Sequence, residues 1–327
     1  MSLTTALQAK NYPDLRTKLK TAFPRPKIKL EAELLAPPRT QNYAIVGAAF
    51  DYALRYLLAD VATNSTTINL ITRPTVANQG KEALDRKYGS PPKPPKIEDA
   101  HPDLPPSFAE ARLRAKSLLY EQALKTYENY QRAIPQIDRA VEQMANPDVN
   151  STAFLRACIT YAKLDAYARS QRVASDFNQV NTNDTADLQA LIEAIPSRLS
   201  TPHSQVILNP IIGPKPLSGD GDLIVDNTLI DIKTTKHLKL ERTVLNQLIC
   251  YYTGYLQSDE YQPKQVTHLG IYFARHGYLW TIPTTQLGCD EDFLNFGTWF
   301  SNYFTNYDVT KPANQQQTDF TNSLPAE

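Results

Sequence analysis

Cysteine is scarce in this chain. Cys158, Cys250 and Cys289 are the only three, and they lie far apart. That spacing makes no metal-binding cluster and no even disulfide set, so the three read as buried or idle thiols of a reducing cytosol. A charge excess of either sign is missing too. Lys plus Arg and Asp plus Glu both number 34, giving a formal net charge of +0. Bulk charge therefore offers no hold on a polyanion, and only a local patch would supply one. Long apolar runs are absent. The most apolar window, Ala44 to Ala62, is broken by Asp51, Arg55 and Asp60, which excludes a membrane span. The first residues, MSLTTALQAKNYPDL, hold no apolar core of signal-peptide length, so a cytoplasmic location is expected. No G-x-S-x-G elbow, Walker loop or dinucleotide fingerprint occurs, which leaves serine-hydrolase, NTPase and dehydrogenase readings without support.

What remains is a globular composition. The 327 residues are 42% hydrophobic and 21% charged, enough for one large domain or two ordinary ones. Helical patterning fills the first two thirds. Val46 to Leu58 reads as an amphipathic helix. SPPKPPKIEDAHPDLPPS, Ser90 to Ser107, is too rich in proline for a regular element and reads as an extended connector. A long helix follows, with Ala115, Leu119, Ala123 and Tyr127 at four-residue spacing. Phe154, Cys158 and Tyr161 mark another after the NPDVNST break, and Asp184 to Ala194 a shorter one. From about Gln205 the period changes. Val206 to Leu208 with Ile211-Ile212, Asp222 to Val225, and Leu229 to Lys233 read as strands. Glu241 to Leu256 reads as a helix, and His268 to Ala274 with Tyr278 to Ile282 as a second hairpin. Asp290 to Tyr303 reads as a closing helix and the polar end as loose. The order predicts an α/β or α+β fold, a mixed sheet flanked by helices. Residues 1–75 are expected to bring N-terminal helices to the core and 76–200 to form a proline-rich connector and helical insertion. Residues 201–305 would carry the core sheet, and 306–327 a flexible tail.

The stretch GDGDLIVDNTLIDIKTTK, Gly219 to Lys236, carries the chemistry. With Asp226-Asn227 as a two-residue turn, Val225 faces Thr228, Ile224 faces Leu229 and Leu223 faces Ile230. Asp222 then falls opposite Asp231, and Lys233 shares a face with Asp231. The other face carries Leu223, Val225, Ile230 and Ile232 toward the core. Two carboxylates across a hairpin repel unless a cation sits between them. A hard divalent ion with oxygen ligands and water suits that place, and the lysine alongside can stabilise charge building on a phosphate.

Asp222 followed by Asp231-Ile232-Lys233 resembles the PD-(D/E)xK nuclease signature. Downstream, QLICYY places Gln247 and Tyr251 at i, i+4 on one helix face, which resembles the Q-x-x-x-Y motif of the RecB-like and Cas4-like branch. Upstream, VGAAFDYALRYLL resembles that branch's G-x-x-x-H helix, with Gly47 in place and Asp51 where histidine is usual. The resemblance covers about Val46 to Leu58 and Val206 to Tyr255. It implies a restriction-endonuclease-like core whose metal, Mg²⁺ or Mn²⁺, is held by Asp51, Asp222, Asp231 and the Ile232 carbonyl. Lys233 would position the water, with Gln247 and Tyr251 bracing the site. The cysteines that hold an iron–sulfur cluster in some relatives are lacking. The implied activity is metal-dependent hydrolysis of DNA by activated water, in repair, CRISPR-type processing or phage defence.

Just past the motif, Lys236, His237, Lys239 and Arg242 cluster with only Glu241 opposed, a candidate nucleic-acid rim. The plainer readings stand beside these. The same run can be a solvated surface, Asp51 a polar face residue, Gln247 an edge amide and Tyr251 a core aromatic. Asp226 reads as a turn residue only, and His101, His203, His268 and His276 as surface or turn residues. Trp280 and Trp299 read as core. Two further hypotheses remain open: a catalytically inactive nuclease-fold scaffold binding nucleic acid or a protein partner through the insertion, and an RNA-cleaving enzyme built on the same residues.

Overall fold

The computed structural model describes residues 7, 12–61, 76–95, 106–173, 176–201, 203–212, 219–258 and 266–305. The chain divides into two compact units. One comprises Met1–Pro37, Leu58–Leu70 and Ala194–Glu327, the other Pro38–Leu57 and Ile71–Glu193. Among the described residues no helix is long and apolar enough to cross a membrane.

The second unit is helical. It holds most of α2 (Tyr43–Val61), together with α3 (Val76–Tyr88), α4 (Pro106–Ala145), α5 (Thr152–Ser170) and α6 (Thr182–Glu193). The helix expected to serve the sheet thus belongs, over Pro38–Leu57, to the helical unit. Of the proline-rich connector, 96–105 lie outside the described residues, and its last two residues open α4. The four-residue stripe read for that helix is not its buried face: Ala115 is exposed and Leu119 is 65% exposed. Tyr130, Ala133, Ile137, Ala140 and Met144, alternating three and four residues apart, are buried instead. Ser151 caps α5 by accepting the Phe154 N–H at 3.1 Å. Lys163 is buried in the same helix. Its ammonium donates to the Asp176 carboxylate at 2.9 Å and to the carbonyls of Asp176 and Gln179 at 2.8 and 2.7 Å. Three donors meet three acceptors, which lets a charge stay inside.

The first unit is α+β. It contains α1 (Pro13–Ala22), α7 (Ser197–Ser200), α8 (Arg242–Leu256) and α9 (Asp290–Thr305), with strands β1 (Val206–Leu208), β2 (Ile211–Ile212), β3 (Gly219–Asp220), β4 (Leu223–Val225), β5 (Thr228–Lys233), β6 (His268–Phe273) and β7 (Tyr278–Pro283). Five strands form one mixed sheet in the order β1-β4-β5-β6-β7; only β5 and β6 pair in parallel, joined through α8. A parallel neighbour needs such a crossover, whereas β4 reaches β5 through a two-residue turn. β2 and β3 make a separate small ladder. The hairpin of His268–Phe273 and Tyr278–Pro283 turns through a 3₁₀ segment at Ala274–His276.

The core of this unit is aromatic where α1, α8 and α9 meet. Phe23 stacks on Phe293 with centroids 4.6 Å apart, and Tyr252 meets Phe293 edge-on at 4.8 Å. Leu15 and Leu19 of α1 and Phe296 and Phe300 of α9 are buried. Gly270 keeps β6 close to its neighbours, since a Cβ there would lie 3.2–3.3 Å from Thr228, Ile230 and Leu279 side-chain carbons.

Candidate active site

The hairpin that bears the acids has the register its sequence predicts: Val225 pairs with Thr228, Ile224 with Leu229 and Leu223 with Ile230. Asp226 adopts φ 49°, the left-handed conformation that Asp and Asn tolerate in turns. Asp226 is more than a turn residue. Its carboxylate accepts the Ser204 N–H, the Ser204 hydroxyl and the Gln205 N–H at 2.9, 2.6 and 3.2 Å, and the His203 ring at 3.1 Å. It thereby ties the lead-in of β1 to the hairpin. Burial works against the charge, but those donors win and hold the carboxyl below its ordinary range. His203, expected at the surface, is buried.

Asp222 lies one residue before β4. Pairing of β4 with β5 stops at Leu223, and the Asp222 side chain reaches along β5 to accept the Ile232 N–H at 2.6 Å. Gly221, just before Asp222, lies close against Ile212, whose Cδ1 would be 2.7 Å from a Cβ there. Asp231 sits in the middle strand of the five, 1% exposed. This departs from the two-faced hairpin expected. Asp231 is fully buried and Ile232, assigned to the core face, is half-buried. α8 packs on β5 and sets Gln247 beside Lys233, on the face that carries Asp231.

Charge inside the sheet is balanced locally. Lys233 Nζ lies 2.7 Å from Asp231 Oδ2. Burial pushes the Asp231 carboxyl above the usual range against the pull of that ammonium. Burial alone would depress Lys233, but Asp231 beside it and Asp222 beyond hold it above the ordinary lysine range. The Asp231 carboxylate thus contacts an ammonium and the Asp222 carboxylate a backbone N–H. From α8, Gln247 Oε1 accepts from Lys233 Nζ at 3.4 Å, and Gln247 Nε2 donates to the Tyr251 hydroxyl at 2.8 Å. The helical i, i+4 spacing sets Gln247 and Tyr251 one above the other, so one chain of contacts runs Asp231–Lys233–Gln247–Tyr251.

The remaining predicted residues have surroundings of their own. Asp51 lies in the helical unit, ion-paired with Arg55 one turn on, and its Oδ1 is buried with no hydrogen-bond partner among the described residues. Lys236, His237 and Lys239 are exposed on the loop after β5. Arg242 is half-buried and engaged. Its guanidinium donates to the Phe23 carbonyl at 2.7 Å and to that of Leu19, closing the C-terminus of α1. Sequence reasoning missed Arg275. It is fully buried, donates to the Thr234 carbonyl at 2.8 Å and to the Ala36 carbonyl at 3.0 Å, and so props the loop that follows Lys233. A single arginine in a hairpin turn resembles any solvated charge, so no local signal marks it. His276 is likewise buried, its Nδ1 3.1 Å from the Glu33 carbonyl oxygen.

Among the described residues no three His, Cys, Asp or Glu side chains converge. The oxygens that would hold an ion are the Asp222 and Asp231 carboxylates and the Ile232 carbonyl. Hard oxygens in that number fit Mg²⁺ or Mn²⁺, which bind through one or two carboxylates and keep several waters. The buried Asp231 Oδ2, without an aligned hydrogen bond beyond its ammonium contact, fits the same use. Comparison with protein-family models, with curated proteins and with solved structures found no match to the chain.

Proposed function

We propose that the chain is a divalent-metal-dependent nuclease that hydrolyses phosphodiester bonds in DNA on a restriction-endonuclease-like core. The observation that carries the reading is the Asp231–Lys233–Gln247–Tyr251 chain, with Asp222 folded against the same strand. Asp222, Asp231 and the Ile232 carbonyl would hold Mg²⁺ or Mn²⁺. Bound there, the ion supplies a Lewis acid for the phosphate and lowers the pKa of water. The Asp231 carboxylate lies 2.7 Å from the Lys233 ammonium, which places the lysine beside the proposed ion site. From there it would orient water or meet negative charge building on phosphate. Gln247 fixes the ammonium through its carbonyl oxygen, and Tyr251 fixes the amide from the other side, so the Gln247 orientation is set from both ends. Lys236, His237 and Lys239 offer an exposed rim for the substrate backbone.

The test is cleavage of end-labelled DNA, with RNA run beside it, in Mg²⁺ or Mn²⁺. Loss of cleavage in Asp231→Ala and in Lys233→Ala is expected, and cleavage that survives both would place the activity elsewhere. The complete burial of Asp231 favours one second reading, a scaffold that binds nucleic acid without cutting. A rise in melting temperature with Mg²⁺ or Mn²⁺ that vanishes in Asp222→Asn speaks for the enzyme. DNA binding without metal and without cleavage speaks for the scaffold.

A further inference from the structure

The chain is neutral overall, yet from Leu15 to Leu30 it carries Arg16, Lys18, Lys20, Arg25, Lys27 and Lys29 and no acid. All six are exposed. Leu15, Leu19 and Phe23 sink into the core of the sheet unit, so the segment is fastened by its apolar residues and shows its cations to solvent. Lys18 lies 5.8 Å from the Trp299 ring centre, and Lys29 pairs with Glu31. Among the described residues no carboxylate pairs with Lys20, Arg25 or Lys27.

This segment is docked on the loop of the candidate site. Arg242, at the start of α8 and three residues past Lys239, donates to the carbonyls of Leu19 and Phe23. Beyond it, Pro24 and Pro26 hold the backbone extended. The far end is pinned as well. The Leu35 and Ala36 N–H groups each donate to the Arg275 carbonyl at 2.9 Å, and Arg275 in turn holds the carbonyls of Ala36 and Thr234. A strap rich in cations is thus tied at both ends to the loop that follows Lys233. Burial and the nearby Arg25 charge together depress the Arg242 guanidinium, so like charges crowd here at a cost.

We propose that the strap and the end of α1, through Lys20, Arg25 and Lys27, form a cationic track that binds the phosphodiester backbone of the nucleic-acid strand entering the candidate site. The inference rests on the nuclease reading for the identity of the ligand, but its test uses binding without chemistry. Each phosphate contact made to a single strand contributes about 0.7 to the slope of log affinity against log salt. Binding of a fluorescent single-stranded oligodeoxynucleotide to the full chain is measured by anisotropy in EDTA across a salt series. R25Q/K27Q should give a slope shallower by about 1.4. R112Q/K125Q removes the same charge from exposed positions on α4 in the helical unit and should leave the slope unchanged. Both variants alter exposed side chains, and an unchanged melting temperature verifies folding. In Mg²⁺, R25Q/K27Q should raise KM with kcat unchanged. An unaltered slope in R25Q/K27Q, an equal loss in R112Q/K125Q, or a wild-type chain that binds anionic-lipid vesicles and no oligonucleotide would each overturn the track. The nuclease reading stands or falls separately, on whether cleavage requires Asp231 and Lys233.

Discussion

Replacing Lys233 by Met isolates the energetics of the site. Asp231 is 2% exposed at its side chain and Lys233 28%, so the substitution leaves a buried carboxylate without its ammonium. Removing one partner of a buried pair costs about 3–5 kcal/mol, and the partial exposure of Lys233 points to the lower end, about 3 kcal/mol. The pH dependence gives the sharper test. Asp231 titrates above its unfolded value in the folded protein. A carboxyl shifted that way contributes stability that is complete below the unfolded pKa of about 3.9 and lost as pH rises through the folded one. Without the ammonium the folded value climbs further. The gap between wild type and Lys233→Met should therefore be small near pH 4 and full at neutral pH. Lys233 itself titrates above its unfolded value, so wild type loses its own contribution only on the alkaline side of the ordinary lysine range. Both tryptophans, Trp280 and Trp299, lie in the sheet unit, so urea unfolding followed by their fluorescence reports on that unit. In Asp231→Asn/Lys233→Met the pH dependence should vanish and most of the stability return. A Lys233→Met cost below about 1 kcal/mol that is equal at pH 5 and pH 7.5 would refute the account of a buried, ammonium-dependent carboxylate.

Two other substitutions probe the frame around the site. Gly277 has φ +53° and a Cβ there would lie 2.5 Å from the Ala194 carbonyl oxygen, so Gly277→Ala should cost more than the roughly 1–2 kcal/mol of left-handed strain alone; a thermal melt within error of wild type would contradict it. Asp226 titrates below its unfolded value, so its contribution is present above about pH 3.9 and lost as pH falls through the folded pKa. Asp226→Asn should therefore cost about 1 kcal/mol at pH 7, a figure discounted for a side chain 43% exposed, and the gap should close on acidification in urea titrations.

The hairpin register was legible because two physical signals agree there. Alternation of apolar side chains fixes which residues share a face, and Asp-Asn fixes where the chain turns, so a slip of one residue would invert every side chain. The Gln247–Tyr251 pair was legible because helical spacing alone stacks i and i+4. The depth of Asp231 was not. A strand's own sequence assigns two faces, but whether the polar one meets water depends on where α8 comes to rest, 9 residues after Lys233 at Arg242. The long helix shows the same limit: Ala115 and Leu119 have the right spacing to be buried, yet burial falls on the Tyr130–Met144 half, where neighbouring helices are available to cover it. Arg275 and Asp226 were illegible for a third reason. Their partners, Ala36 and Ser204, lie 239 and 22 residues away in sequence, and no local pattern encodes a contact of that kind.

A sheet centre needs no ion pair to fold. Apolar side chains of similar volume at positions 231 and 233 would avoid the desolvation of two charges, and such replacements are often neutral or stabilising by about 1–4 kcal/mol. Asp231→Leu/Lys233→Met should accordingly unfold at a urea concentration equal to or above that of wild type, in contrast to the losses from Lys233→Met alone. The same variant should lose both the metal-induced rise in melting temperature and the proposed cleavage. If it instead unfolds well below wild type, the pair is a structural support of the middle strand, and its position beside Gln247 and Tyr251 would then follow from packing without any chemistry at the site.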